Sequence, residues 1–233
     1  MAIVGNVLYV HIPKTGGIST LRYLHAVSGG KGLWPMTDDW PFPSEHVPVS
    51  AVPKFTDRTI DSFDMIVATI RDPWEQQLSH WLHWRDSYAR GGRSLPELTA
   101  ALCHDMTAWL LEPLSDYRVW WEHCLTRTNN LHVNDLTAAA QALPDYYRWW
   151  LQDEDGQLPD TLRLCPFDNL ENAVKELVPS DHEFPHVNGS PARDTAQHYS
   201  ANAIRLVQDR FRDTCAGMFS AAFTPPEPQE PRT

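Results

Sequence analysis

The feature that most limits what this chain can fold into is the short apolar, β-rich run Val7-Leu8-Tyr9-Val10-His11-Ile12, which stops at Pro13 and at the pair Gly16-Gly17. Such a run reads as a buried strand, and proline and glycine directly behind it mark a tight turn. From Ile18 to Val27 the pattern becomes helical. The arrangement then recurs: Asp64-Met65-Ile66-Val67-Ala68-Thr69-Ile70 breaks at Arg71-Asp72-Pro73, and the spacing predicts a helix from Trp74 to about Trp84 with Pro73 in its first turn. Strands alternating with helices predict an α/β fold with a central parallel sheet flanked by helices. In such sheets ligands sit beyond the C-terminal strand ends, where both turns would fall.

The rest of the chain is read around those two units. Residues 29 to 58, rich in Gly, Pro, Ser and Asp, are expected to be mostly loop. Leu95 to Trp150, rich in Ala, Leu and Trp, reads as a helical, Trp-rich middle insertion. Leu162-Arg163-Leu164-Cys165-Pro166-Phe167 reads as another strand, and Asp168 with Glu171 forms a capping-box pattern for a helix to Val178. Ile204, Val207, Phe211, Cys215 and Met218 recur at helical spacing behind Ser200, a candidate N-cap. A single domain over 1–224 is expected. The segment 225–233, with Pro225, Pro226, Pro228 and Pro231, is expected to be a disordered tail.

Composition narrows the classes of partner. A formal charge of −11 argues against nucleic acid, so a phosphate-bearing ligand would need a compact local grip. Four cysteines, Cys103, Cys124, Cys165 and Cys215, lie far apart with no CxxC pair, against a zinc knuckle or a disulfide scaffold. No window approaches the ~20 apolar residues of a membrane span, and no signal-like start is visible. A cytoplasmic location is the expectation.

The first turn carries the chemistry. In His11-Ile12-Pro13-Lys14-Thr15-Gly16-Gly17-Ile18-Ser19-Thr20, two glycines let the backbone approach an anion, and the following helix turns free N–H groups toward it. Lys14 adds a point charge, and Thr15, Ser19 and Thr20 are candidate hydroxyl donors. The pattern is not Walker A, because Lys14 precedes the glycines.

With its following Ser, this HIPKTGG segment resembles the 5′-phosphosulfate loop of sulfotransferases that use 3′-phosphoadenosine 5′-phosphosulfate (PAPS), in particular the group containing the heparan sulfate 2-O-sulfotransferases. The resemblance implies a P-loop-like three-layer fold, PAPS as donor, adenosine 3′,5′-bisphosphate (PAP) as product, and no metal. It also implies an Arg at a strand end and a Ser eight residues on as ligands of the 3′-phosphate, which Arg71 and Ser79 reproduce. A softer match is Pro185-His186-Val187-Asn188-Gly189-Ser190, where family members carry a late His-x-Asn-x-Ser loop near the nucleotide, so Asn188 and Ser190 join the cofactor-binding set. The Trp-rich middle is largely outside the resemblance.

Sulfuryl transfer requires a base for the acceptor hydroxyl and positive charge at the leaving oxygen. Lys14 is assigned the second role. His46, in Ser44-Glu45-His46-Val47, resembles the second member of the family's His-x-His pair, with Ser44 where the first would stand, and is the expected base; Glu45 is the fallback. The expected acceptor is a hydroxylated metabolite, lipid or sugar. Two rival readings are a nucleotide phosphotransferase using the same loop and a binding protein for PAPS or PAP that has lost its base.

Other conspicuous residues read as structural. Most of the ten tryptophans suit core packing. His80 and His83, three apart on a helix, lack further ligands at metal spacing. Cys103-His104 and His123-Cys124 are sequence neighbours whose side chains would not face one another on a helix.

Overall fold

The computed structural model describes residues 1–34, 45–89, 105–111, 115–119, 121, 143–187, 195–217 and 223–228. The chain forms two compact units, each discontinuous in sequence: Met1–Arg71 with Tyr147–Pro191, and Asp72–Tyr146 with Ala192–Thr233. It is an α/β protein with a four-stranded mixed sheet flanked by helices.

The sheet belongs to the first unit. Its strands are β1 (Ala2–Val4), β2 (Val7–Val10), β3 (Met65–Ile70) and β4 (Leu162–Pro166), in that spatial order. β2, β3 and β4 are parallel, with Val10 opposite Ala68 and Thr69 opposite Cys165. β1 is antiparallel to β2, so the expectation of a parallel sheet is corrected to a mixed one. The cause is local: Val4 pairs with Val7, which leaves Gly5-Asn6 as a two-residue hairpin loop, and Gly5 takes φ 56° in it. Glycine in the first central position is a common way to close so short a hairpin.

Both sheet faces are buried, which explains why β2 and β3 read as continuous apolar runs. Tyr9, Val67 and Cys165 share a core with Leu21, Tyr23 and Leu24 of α1 (Gly17–Val27) and with Leu170 and Val174 of a later helix, Leu170–Leu177. Leu8, Val10, Ile66 and Ala68, which alternate with that set, are buried as well. Residues 29 to 58, read as mostly loop, include among the described positions a 3₁₀ turn at Val49–Ala51 leading into α2 (Val52–Phe55).

The regular elements described in the second unit are helices. Its helices include α3 (Pro73–Ala89) and α4 (Met106–Leu111); α5 (Tyr146–Leu151) straddles the boundary between the units. α3 begins at Pro73 as expected, and Asp72 caps it: its Oδ1 accepts the Glu75 N–H at 3.0 Å. Trp74, Trp109 and Trp121 are almost wholly buried in this unit, as are Trp149 and Trp150 in the first, consistent with core roles.

Two end signals behave differently. After β4, Phe167–Asn169 forms a 3₁₀ turn, so α6 (Leu170–Leu177) takes Asn169 as N-cap with no side-chain cap. The capping box read at Asp168 and Glu171 does not form; the Asn169 side chain instead accepts from Asn172 at 2.7 Å. Ser200 does cap α7 (Ala201–Arg210), accepting from Ala203 N–H at 3.1 Å. The helical spacing that follows is broken at Phe211 and resumes as α8 (Arg212–Cys215), because Thr214 donates both its amide and its hydroxyl to the Asp145 carboxylate. Met218 lies outside the described residues.

Candidate functional site

The site grows from the C-terminal end of β2. Past Val10 the chain runs through His11, Ile12 and Pro13, all buried, into a turn where Lys14 takes φ 65° and Gly16 takes φ 86° as N-cap of α1. Among the described residues Lys14 is the one non-glycine residue at positive φ, a conformation that costs an L-residue about 1 kcal/mol. Such strain persists where the surroundings over-determine it.

Both glycines are required by contact. A Cβ on Gly16 would stand 2.6 Å from Leu170 Cδ2 and 3.1 Å from Phe167 Cε2; one on Gly17 would stand 1.7 Å from His11 Cδ2. The His11 ring therefore occupies the space that Gly17 leaves open. The Ser19 and Thr20 amides bond to Gly16 O at 3.1 and 3.4 Å, which leaves the Gly17 and Ile18 N–H groups as the backbone donors that a helix N-terminus can offer an anion.

The three hydroxyls expected to line that grip are turned inward. Thr15 Oγ1 donates to Ile12 O at 2.9 Å and lies 2.7 Å from Thr69 Oγ1, which in turn lies 3.2 Å from the Tyr9 hydroxyl. Ser19 Oγ accepts the Val187 N–H at 3.1 Å, and buried Thr20 lies near Tyr9. These residues knit β2, β3 and α1 together.

Arg71 stands at the matching end of β3, the parallel neighbour of β2. Its main chain is clamped at both polar atoms: the Tyr147 hydroxyl accepts from Arg71 N–H at 3.0 Å and donates to Arg71 O at 2.7 Å. Its guanidinium lies 4.2 Å above the Phe167 ring, the same ring that packs against Gly16. One aromatic side chain thus braces both cation-bearing turns. Burial, with the Arg71 charge second, lowers the Lys14 ammonium to about 8. No hydrogen bond or ion pair engages Lys14 among the described residues.

Glu45 and His46 join this end of the first unit through His11. His46 Nδ1 lies 2.9 Å from His11 O; since a carbonyl only accepts, Nδ1 carries the proton and Nε2 the lone pair. His46 Nε2 is 3.4 Å from Glu45 Oε1, and the His11 and His46 rings are 4.4 Å apart. The Met1 amino group donates to the Glu45 carbonyl. Burial holds the His46 imidazole down at about 3, partly opposed by the bond to His11 O and reinforced by Met1 and Lys14; burial likewise puts His11 well below its ordinary value. Both rings are neutral at physiological pH. One nitrogen from each ring and a Glu45 oxygen lie within 4.8 Å of one another, a donor set that could hold a metal ion.

Of the residues read from the sequence, Pro13 to Thr20, Glu45, His46 and Arg71 gather at one end of the sheet in the first unit. Ser79 sits half-buried on α3 in the second unit. Asn188 and Ser190 lie outside the described residues, although Val187, just before them, is held by Ser19. So do Ser44 and the pairs Cys103-His104 and His123-Cys124. His80 is buried with Nε2 accepting from Trp84 Nε1 at 2.8 Å, whereas His83 is exposed. Sequence reasoning missed His11, Tyr147 and Phe167. His11 carried a signal, a titratable residue inside an apolar strand; the other two are aromatics whose role depends on tertiary packing. The chain matches no known protein family, no curated protein and no solved structure.

Proposed function

We propose that this protein is a PAPS-dependent sulfotransferase acting on a small hydroxylated metabolite, lipid or sugar, with a P-loop-like arrangement at the end of β2. The observation that carries the reading is the pair of cationic turns. Lys14 and Arg71 stand at the C-terminal ends of adjacent parallel strands, braced by one Phe167 ring, and Lys14 has no carboxylate partner among the described residues. Two such charges fit a ligand with two separated anionic groups, and the bisphosphate nucleotide PAP has them.

In this reading the acceptor oxygen forms a bond to sulfur as the bond from sulfur to the 5′-phosphate oxygen breaks. The acceptor proton passes to His46 Nε2, the atom left with a lone pair by the bond at Nδ1. Lys14 and the first amides of α1 stabilise the negative charge that develops on the departing phosphate oxygen. The low basicity of His46 in the free protein rises once an anionic donor sits beside Lys14, because negative charge favours the imidazolium. Glu45 Oε1, 3.4 Å from His46 Nε2, is placed to stabilise that imidazolium.

The experiment is transfer of labelled sulfate from PAPS to a panel of hydroxylated acceptors in chelator-containing buffer, with His46→Ala alongside. Transfer by the wild type and its loss in the variant is the expected result. PAP binding without transfer would make the chain a binding protein, and Mg²⁺-dependent ATP binding without PAP binding would make it a phosphotransferase.

A further inference from the structure

The second use of the His46 corner concerns metal chemistry and stands independently of sulfuryl transfer. We infer that His11, Glu45 and His46 form a site for one divalent transition-metal ion of the zinc class, with the remaining coordination position open to solvent or a ligand.

Three features of the geometry lead there. First, the donor atoms are gathered within 4.8 Å although His11 is 34 positions before Glu45. His46 Nε2 and Glu45 Oε1 are 3.4 Å apart, and bonds of about 2.0–2.1 Å in a tetrahedral shell set neighbouring ligand atoms roughly 3.3 Å from one another. Second, the hydrogen bond at Nδ1 turns Nε2, the nitrogen that carries no proton in the neutral ring, toward the carboxylate oxygen, so that both atoms can donate electron pairs to one ion. Third, the His46 ring is already oriented by an outer hydrogen bond. A ligating imidazole ordinarily donates its other N–H to a carbonyl or carboxylate, and His46 does so to His11 O. The His11 ring is fixed by packing on Gly17 and His46 while its buried Nδ1 has no hydrogen-bond partner, so its orientation is not set by a competing bond.

The donor set selects the ion. Two imidazoles and one carboxylate suit Zn²⁺, Co²⁺, Ni²⁺ and Cu²⁺, whereas Mg²⁺ and Ca²⁺ need more oxygen ligands. The nearby Lys14 ammonium opposes any cation and penalises most the hard ions that bind by charge alone. An ion on Nε2 also takes the lone pair that a base would use, so metal loading and proton abstraction by His46 are mutually exclusive.

The test is titration of the full chain with Co²⁺, followed by its visible ligand-field absorption, then displacement by Zn²⁺. The expected result is one equivalent of Co²⁺ with that spectrum. Binding should weaken about tenfold or more in Glu45→Gln, whose side chain is the most exposed of the three, and the spectrum should be lost in His46→Ala. His182→Ala, which removes an exposed histidine elsewhere, should bind like wild type. Zinc should also protect His46 from diethyl pyrocarbonate, mapped by mass spectrometry. Absence of the spectrum, equal affinity in Glu45→Gln and His46→Ala, or unprotected His46 in the zinc-loaded protein would each overturn the assignment. If the site binds zinc and no acceptor is ever sulfated, the metal site stands and the sulfotransferase reading falls.

Discussion

Each unit buries a polar cluster, and the two clusters treat charge in opposite ways. In the second unit the Asp116 carboxylate takes Arg118 at 2.6 Å and Arg210 at 3.4 Å. Arg210 also donates to Gln77, Leu110 O and Ser115, and Arg118 to Pro144 O. The two guanidinium groups hold the Asp116 acid at about 2 in spite of its burial. In the first unit, burial pushes Lys14 down to about 8 and His46 to about 3, and Glu45, 3.4 Å from His46 Nε2, is one-third exposed. A cluster whose charges answer one another is complete as it stands and serves the fold. The first-unit cluster, where no hydrogen bond or ion pair engages Lys14 among the described residues, is the one we propose to receive a ligand.

Asp116→Ala should break the first half of that contrast. It leaves two arginines buried without their carboxylate, and a loss of about 3–5 kcal/mol in denaturant-measured stability is expected. Gly17→Ala should come next, at about 1–3 kcal/mol, since its methyl meets the His11 ring and must displace it. The His46–His11 hydrogen bond should loosen with it, seen as a shifted His46 ring resonance by NMR.

Acid sharpens the comparison. Both imidazoles are neutral in the fold and protonate more readily when unfolded, so between pH 6.5 and about 3 the unfolded state binds more protons and stability falls as pH falls. At pH 5 the loss should be roughly 1–2 kcal/mol from His46 alone, His11 adding in the same direction, and His46→Gln should flatten that slope. Lys14→Gly gives the smallest stability change and has the opposite sign. Relief of φ 65° should raise stability by about 1 kcal/mol while anion binding at the turn collapses, as read by calorimetry.

Much of the framework was legible because it depends on neighbours in sequence. β2 and β3 announced themselves as apolar runs closed by Pro13 and Pro73, and Ser200 capped where its pattern said it would. β1 was missed although Gly5-Asn6 is a readable hairpin turn, because three residues are too few for a periodic signal. Asp168 and Glu171 looked like a capping box and were not, because a 3₁₀ turn moved the helix start by one residue. In the site, Lys14, Gly16 and Gly17 could be read from the turn itself. The inward rotation of Thr15 and Ser19 could not, since Thr69 and Val187 are brought to them by tertiary folding. The same holds for the Tyr147 clamp on Arg71, 76 positions away, and for the meeting of His11 with His46.

The central claim is that the turn at Lys14 and the strand end at Arg71 grip one doubly anionic nucleotide. Calorimetric titration of the protein with PAP and with 5′-AMP, in buffer containing a metal chelator, tests it directly. The account predicts that PAP binds at least about tenfold more tightly than 5′-AMP, and that Arg71→Ala removes that advantage, each lost charge-assisted contact being worth about 1.5–3 kcal/mol. PAP that fails to bind, or binds no better than 5′-AMP and with indifference to Arg71, would contradict it.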